Sequence, residues 1–270
     1  LSGIGGSGVV ILSYPTGSMI AAGGNVTTSG GNTIHTFTSS GEWTITGPSV
    51  GGNDSFTKLL LHLDGANGST TVTDSSASNH AMGNQGVWQI STVAAKFGTA
   101  AASFVGSNGC LFGEAATQAD FTFGTGDFTI ECWVRFNALG TQTLIDFGYT
   151  KTAPNFGPGL FMTDANGHLG VFANSANLIT GTVICAVNQW YHAAVARAAG
   201  TLRMFVNGVQ DGPSYSDGNN YGTGTHMPAI GISGTDFVAF PLNGRLDEIR
   251  VSKGIARYTA NFTPPTGPFG

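Results

Sequence analysis

Charge is what this chain of 270 residues has least of: 9% of it is Asp, Glu, Lys or Arg, against roughly a quarter in an ordinary globular domain. Ten Lys and Arg against fifteen Asp and Glu leave a net charge of −5. Neutralising a nucleic-acid backbone needs a basic patch, so neither a nucleic-acid partner nor, on the same ground, an anionic membrane surface is expected. Long apolar runs are missing too. Runs such as Val9 to Leu12 are strand-sized and far short of the ~20 residues that span a bilayer. Membrane insertion is therefore not expected. Cysteine is scarce: Cys110, Cys132 and Cys185 fit no zinc spacing. Three buried thiols are expected rather than one disulfide and a free thiol. The chain opens at Leu1 with no signal-peptide pattern, as a processed product or a piece of something longer would.

What is present points to strands. Hydrophobic residues make up 41%, enough for a sizeable core, and Gly occurs 42 times, about twice its usual ~7% share. Thr, Ser and Asn supply neutral polar surface. This is not the disorder signature, which needs low hydrophobicity and high net charge. Residues 1–52 form a Gly-rich module with short β runs, Val9 to Tyr14, Thr33 to Ser39 and Glu42 to Thr46. That piece is too short to bury much alone and is expected to pack on the rest or on a neighbouring chain. Gly47 to Asn53 is a loop by composition.

Residues 53–270 read as strands almost throughout. From Phe128 to Phe136 the pattern has period two. Phe128, Ile130, Cys132, Val134 and Phe136 point one way; Thr129, Glu131, Trp133 and Arg135 point the other. Thr201 to Val206 leads into Asn207-Gly208, a hairpin signal because both central residues need positive φ. Trp190 to Arg197 suits its partner strand. Leu59 to Leu63 and Ile249 to Val251 are expected core strands, and Ser252 to Tyr258 tolerates about two helical turns. The nucleophile elbow G-x-S-x-G is absent, and the six His show no metal-binding spacing. Gly3 to Gly8 lacks the Lys-Ser/Thr of a phosphate loop.

The closing run from Leu242 to Phe269, LNGRLDEIRVSKGIARYTANFTPPTGPF, resembles the last segment of a concanavalin A-like, laminin-G-type sandwich found in bacteriophage tail and fibre proteins. Further resemblances follow in family order: Lys58 to Gly65, Thr73 to His80 (with Ala77 where Gly is usual), Lys96-Phe97-Gly98, Phe123 to Glu131, Asn188 to His192 and Leu202 to Gly208. Gly5 to Pro15 and Thr33 to Gly41 resemble a Gly-rich module of phage tail proteins.

The resemblance implies an all-β protein, a concanavalin A-like jelly-roll β-sandwich with a short N-terminal β module. It implies a non-enzymatic virion surface protein, a tail fibre, tail tip or appendage. Its partners would be host surface polysaccharide and other virion proteins, and it would be a homo-oligomer, a trimer by default. The alternative is a structural capsid or tail decoration that contacts only other virion proteins. A glycan-cleaving enzyme is disfavoured. Hydrolases on this sandwich carry Glu-x-Asp-x-x-Glu on one strand, and here Glu131 stands beside Trp133 and Arg135, an expected ion-pair partner.

Sugar sites on such sandwiches use aromatic platforms and amides. The best candidate is the polar loop with Tyr215, Asp217, Asn219, Asn220 and Tyr221. Tyr149, after Phe147, and Asn155, before Phe156, are others. The same loop also fits an ordinary surface loop or a subunit contact. Trp88, Trp133 and Trp190 are expected in the core or on a sheet face. One structural Ca²⁺ is implied, held by Asp247 with Asp74, Asn79 and Asp64, since short carboxylates and carbonyls suit a hard cation. The competing reading makes Asp74 a turn cap and pairs Asp247 with Arg245 or Arg250.

Overall fold

Period-two alternation becomes strand almost everywhere in the computed structural model, which describes residues 8–15, 20–30, 32–47, 52–113, 118–147, 158–162, 165–174, 176–222, 228–233 and 239–270. The chain divides into two compact units, Leu1–Ser55 with Gly270, and Phe56–Phe269.

The first unit contains β1 (Val10–Pro15), β2 (Ile20–Ala22), β3 (Asn25–Ser29), β4 (Asn32–Phe37) and β5 (Thr44–Gly47). Strands β1, β4 and β3 make one antiparallel sheet in that order, and β2 pairs with β5. Its interior centres on His35, which is fully buried and stacked on Tyr14. His35 Nδ1 lies 2.6 Å from the Gly23 carbonyl and Nε2 lies 2.9 Å from Tyr14 Oη. A carbonyl only accepts, so the neutral ring carries its proton on Nδ1 and Tyr14 donates to Nε2. Val10, Ile11 and Val26 remain at least half exposed.

The second unit contains β6 (Thr57–Leu61), β7 (Met82–Gln85), β8 (Trp88–Ser91), β9 (Ala101–Val105), β10 (Cys110–Gly113), a single turn α1 (Gln118–Phe121), β11 (Phe128–Phe136), β12 (Gln142–Asp146), β13 (Gly159–Met162), β14 (His168–Ala173), β15 (Ala176–Ile184), β16 (Trp190–Ala198), β17 (Thr201–Val206), β18 (Val209–Gln210), β19 (Tyr215–Ser216), β20 (Ala229–Ile230) and β21 (Asn243–Lys253). Among the described residues one sheet has the order β15-β14-β13-β12-β20-β10-β7. The other has the order β18-β17-β16-β11-β21-β9-β8, with β6 also on β21 and β19 on β17. The inward set of β11 joins Leu111, Leu144, Ile145, Leu169 and Val171 from the opposite sheet in one core. The result is an antiparallel jelly-roll sandwich, its faces set by the pleat.

The expected core strands β6 and β21 pair with each other, with Leu61 opposite Ile249. Asn207 and Gly208 have φ of 49° and 78°, with Val206 opposite Val209 across the turn. A Cβ on Gly208 would also strike the Phe262 carbonyl, so this glycine lets the C-terminal segment approach. All three cysteines are buried and free; burial pushes the Cys110 thiol up to about 11 and Cys185 to about 12.

Two departures matter for the site. β21 runs straight through to Lys253 and no helix follows. The Arg257 N–H goes to Thr129 Oγ1 instead, so a long-range bond takes the donor that a helix would use. Second, β21 carries a bulge. Trp133 faces Asp247 but Glu131 faces Arg250, and Glu248 sits at φ 46°. That one extra residue puts both Asp247 and Arg250 on the outer face of the sheet, while Leu246, Ile249 and Val251 stay in the core.

Candidate functional site

The loop with two tyrosines folds around an arginine. Arg197, at the end of β16, is fully buried and uses all five of its donors. Nε donates to the Gly126 carbonyl at 2.9 Å, Nη1 to Asp217 Oδ2 at 3.3 Å and to the Asn219 carbonyl at 2.9 Å. Nη2 donates to the carbonyls of Gly124 and Gly126 at 2.7 and 2.5 Å. Its guanidinium lies between the Phe128 and Tyr221 rings.

Tyr221 is therefore in the core, not on a platform, and the buried Asp217 pairs with Arg197 and takes the Asn219 amide. Asn219 is further bonded by Asn174 at 2.8 Å. Tyr215 packs half-buried against the core, and Asn220 alone of the five candidates is exposed. The expected sugar platform is instead a structural knot, because a buried guanidinium demands a partner for every donor. Phe147 is buried against Phe121 and Phe123. Tyr149, Asn155 and Phe156 lie outside the described residues.

The metal candidates are also engaged in hydrogen bonds. Asp74 is buried, and its carboxylate accepts four: from the N–H groups of Leu60, Ser76 and His80 and from Ser76 Oγ, all at 2.8–2.9 Å. It caps its own turn. Asn79 is exposed, with φ 46°.

Asp247 pairs with neither Arg245 nor Arg250 in the way expected. Its Oδ2 takes the N–H groups of Lys96 and Phe97, and its Oδ1 that of Glu248. Burial, opposed by those donors and helped by the Glu248 charge, pushes its carboxyl up to about 7. Asp64 Oδ1 accepts from Thr99 N, Thr99 Oγ1 and Ala100 N. A Cβ at Gly98, where φ is 58°, would strike that carboxylate.

Asp64 and Asp247 thus fasten one loop, residues 96–100. Among the described residues no group of three or more His, Cys, Asp or Glu is arranged to hold a metal. N–H and O–H groups aim at these oxygens where a cation would have to sit, so the set does not fit Ca²⁺.

The outer face of the β11 sheet has two ends. At one, Glu131 is fully buried. Arg250 reaches its Oε1 twice, at 2.6 and 2.8 Å; its Oε2 takes Tyr258 Oη at 2.6 Å and lies 3.1 Å from His192 Nε2. Burial alone would raise this carboxyl; Arg250, His192 and Tyr258 outweigh it and hold it down at about 2. The expected partner, Arg135, is four residues away along the strand and takes no part.

The C-terminal segment covers this end. Tyr258 packs on Ala194, Ala196 and Phe205, with Phe262 stacked on it at 3.5 Å. Phe262 N–H reaches the Gly208 carbonyl, and Phe269 N–H reaches Glu248 Oε2. That same Glu248 holds His62 Nδ1 at 2.9 Å.

At the other end the face is open. Strand register lines up Gln89, Ser103, Arg245, Arg135 and Trp190 across β8, β9, β21, β11 and β16. Gln89 is exposed and the other four are partly exposed. One step away, Lys96 Nζ sits 3.9 Å over the Trp133 ring. The sequence reading missed this row. Its members are scattered from 89 to 245, and only their parity in separate strands hinted at a shared face.

A sequence profile described as concanavalin A-like lectin/glucanases superfamily matches residues 112–256, just over half the chain. The chain belongs to that superfamily. No curated protein matches it. Among solved structures, domain 4 of AbnA, a GH43 extracellular arabinanase from Geobacillus stearothermophilus in complex with arabinotriose, gives a TM-score of 0.53 at 19% identity, over 74% of this chain and 93% of that one.

The binding domain of botulinum neurotoxin DC in complex with SialylT gives 0.53 at 15%, over 76% and 50%. Trypanosoma rangeli sialidase gives 0.52 at 15%, over 76% and 31%. The chain thus spans nearly all of the arabinanase domain, half of the toxin chain and under a third of the sialidase chain. At these identities the likeness is one of fold. Within the superfamily's sandwich, this member seals one end of a sheet face and leaves the other open.

Proposed function

We propose that this concanavalin A-like protein is a non-enzymatic glycan-binding protein on a bacteriophage virion, a tail fibre, tail tip or appendage that attaches to host-surface polysaccharide. The observation that carries the binding reading is the open row. A partly exposed indole can lie under the apolar face of a sugar, while guanidinium, amide and hydroxyl groups beside it meet ring hydroxyls. Glycoside hydrolysis needs two carboxylates flanking the bond. The five residues of the open row include none, and Glu131 is sealed under the C-terminal segment. The sugars named with the arabinanase domain and the toxin domain support the ligand class. The virion context rests on the resemblance of Leu242–Phe269 and of Gly5–Pro15 to phage tail proteins. Display as a trimer would turn weak single sites into useful avidity.

A second reading, a decoration protein that contacts only other virion proteins, is favoured by one observation: Val10, Ile11 and Val26 on the first unit's small sheet are at least half exposed, and apolar surface of that kind calls for a partner. Labelled protein added to host bacteria, with and without competing host polysaccharide, separates the two. Saturable binding that the polysaccharide abolishes is expected. No binding, even from a multivalent display, would overturn attachment in favour of decoration.

A further inference from the structure

We propose that the open row takes an acidic sugar, with Arg135 and Arg245 together holding its carboxylate; this deepens the glycan-binding reading and rests on it. The register puts the two arginines directly opposite each other on β11 and β21. Like charges so placed repel, and the whole chain has ten Lys and Arg. The buried arginines elsewhere are partnered: Arg197 makes five hydrogen bonds, and Arg250 pairs with Glu131.

Arg245 Nε and Nη1, by contrast, are shielded from solvent with no acceptor among the described residues. Arg135 Nη1 reaches Asn137 Oδ1 at a long 3.4 Å. Burial and the facing Arg135 charge both lower the pKa of Arg245, as two cations pressed together should. Two facing cations repel each other, so the pair is a strained arrangement that an anion beside them would relieve.

The neighbours say which anion. Two planar guanidinium forks side by side match the two oxygens of one carboxylate. Trp190 flanks Arg135 as a platform for a ring face, and Ser103 and Gln89 beyond Arg245 suit hydroxyls. Four inter-strand gaps of about 4.8 Å make the row roughly 19 Å long, room for an oligosaccharide rather than a lone carboxylate. Lys96, one step away over Trp133, adds a second positive point for a repeating acidic chain.

The test uses the full chain and calorimetry with oligogalacturonate, oligoglucuronate, the neutral methyl esters of both, and dextran sulfate. Arg135→Gln, Arg245→Gln and Arg135→Lys are compared with the parent, and each melting temperature is measured. Expected is a preference for an acid over its ester of about tenfold or more, the worth of one or two charge-assisted bonds. Roughly 1 M salt should weaken that preference. Both Gln variants should lose it at an unchanged or higher melting temperature, since a repulsion is removed. Arg135→Lys should keep the charge and the stability but lose most of the preference, because the fork is gone.

Equal binding of acid and ester, unaffected by the variants, would overturn the acidic-sugar site and leave glycan binding standing. Loss of binding only in variants that also melt lower would make the arginines structural and overturn it too. Dextran sulfate bound while both uronates are ignored would overturn the carboxylate assignment. Binding of no sugar at all would sink both readings.

Discussion

The two ends of one sheet face carry the same kinds of residue to opposite ends. Strands β11 and β21 supply both. Where the C-terminal segment lies over them, Glu131 faces Arg250 and both oxygens of the carboxylate are engaged. Two pairs further along, the same strands set Arg135 against Arg245 with nothing of opposite sign between them. Burial forces the difference. A charge removed from water must be paired and fully hydrogen-bonded, whereas a partly exposed charge can stay in tension at modest cost. The covered end therefore holds the fold, and the open end is free to serve a ligand.

The largest break in that comparison comes from Glu131→Gln. It removes the carboxylate that pairs with buried Arg250 and should cost about 3–5 kcal/mol, read as a fall in denaturant midpoint. An equal loss from a change at Arg135 would show that the two ends do not differ as argued.

Acid sharpens the contrast next. Glu131 is held at about 2 against an ordinary 4.5. The stability it contributes is present above 4.5 and is lost as pH falls toward 2. Asp247 works the other way. Its carboxyl, raised to about 7 from 3.8, gives a contribution that is full below 3.8 and is lost as pH rises through 7. Melting temperature against pH should therefore climb from pH 2 to about 4.5 and then sag toward neutrality. Asp247→Asn should remove the sag and leave the climb.

The smallest effect is the chelator's. Asp74, Asp247 and Asp64 each hold backbone N–H groups rather than a cation, so EDTA should leave the melting temperature unchanged. A drop of several degrees, restored by Ca²⁺, would overturn that assignment of their roles.

Much of the fold was legible before any coordinates. The alternation from Phe128 to Phe136 gave β11 and its inward set, and Asn207-Gly208 gave the turn between β17 and β18. Leu59 to Leu63 and Ile249 to Val251 supply core strands as read. These are local properties: a period of two, a turn that needs positive φ, a run too apolar for the surface.

The site was less legible, and for one reason. Tyr221 and Asp217 sit in a polar loop that reads as exposed, yet Arg197 draws them inward across 20 residues or more. Trp190 lies on a sheet face as read, but nothing along β16 shows that it ends the open row.

The sequence by itself determined that this is an all-β protein, which side chains of a strand such as β11 face its core, and that no Glu-x-Asp-x-x-Glu run is present. The tertiary structure alone decided which charges meet. Glu131 pairs with Arg250, 119 positions away, and not with Arg135 four residues along its own strand. Register between distant strands, and the single-residue bulge at Glu248, select those partners. A pattern along one strand fixes the face a side chain takes, but its neighbour on that face belongs to another strand.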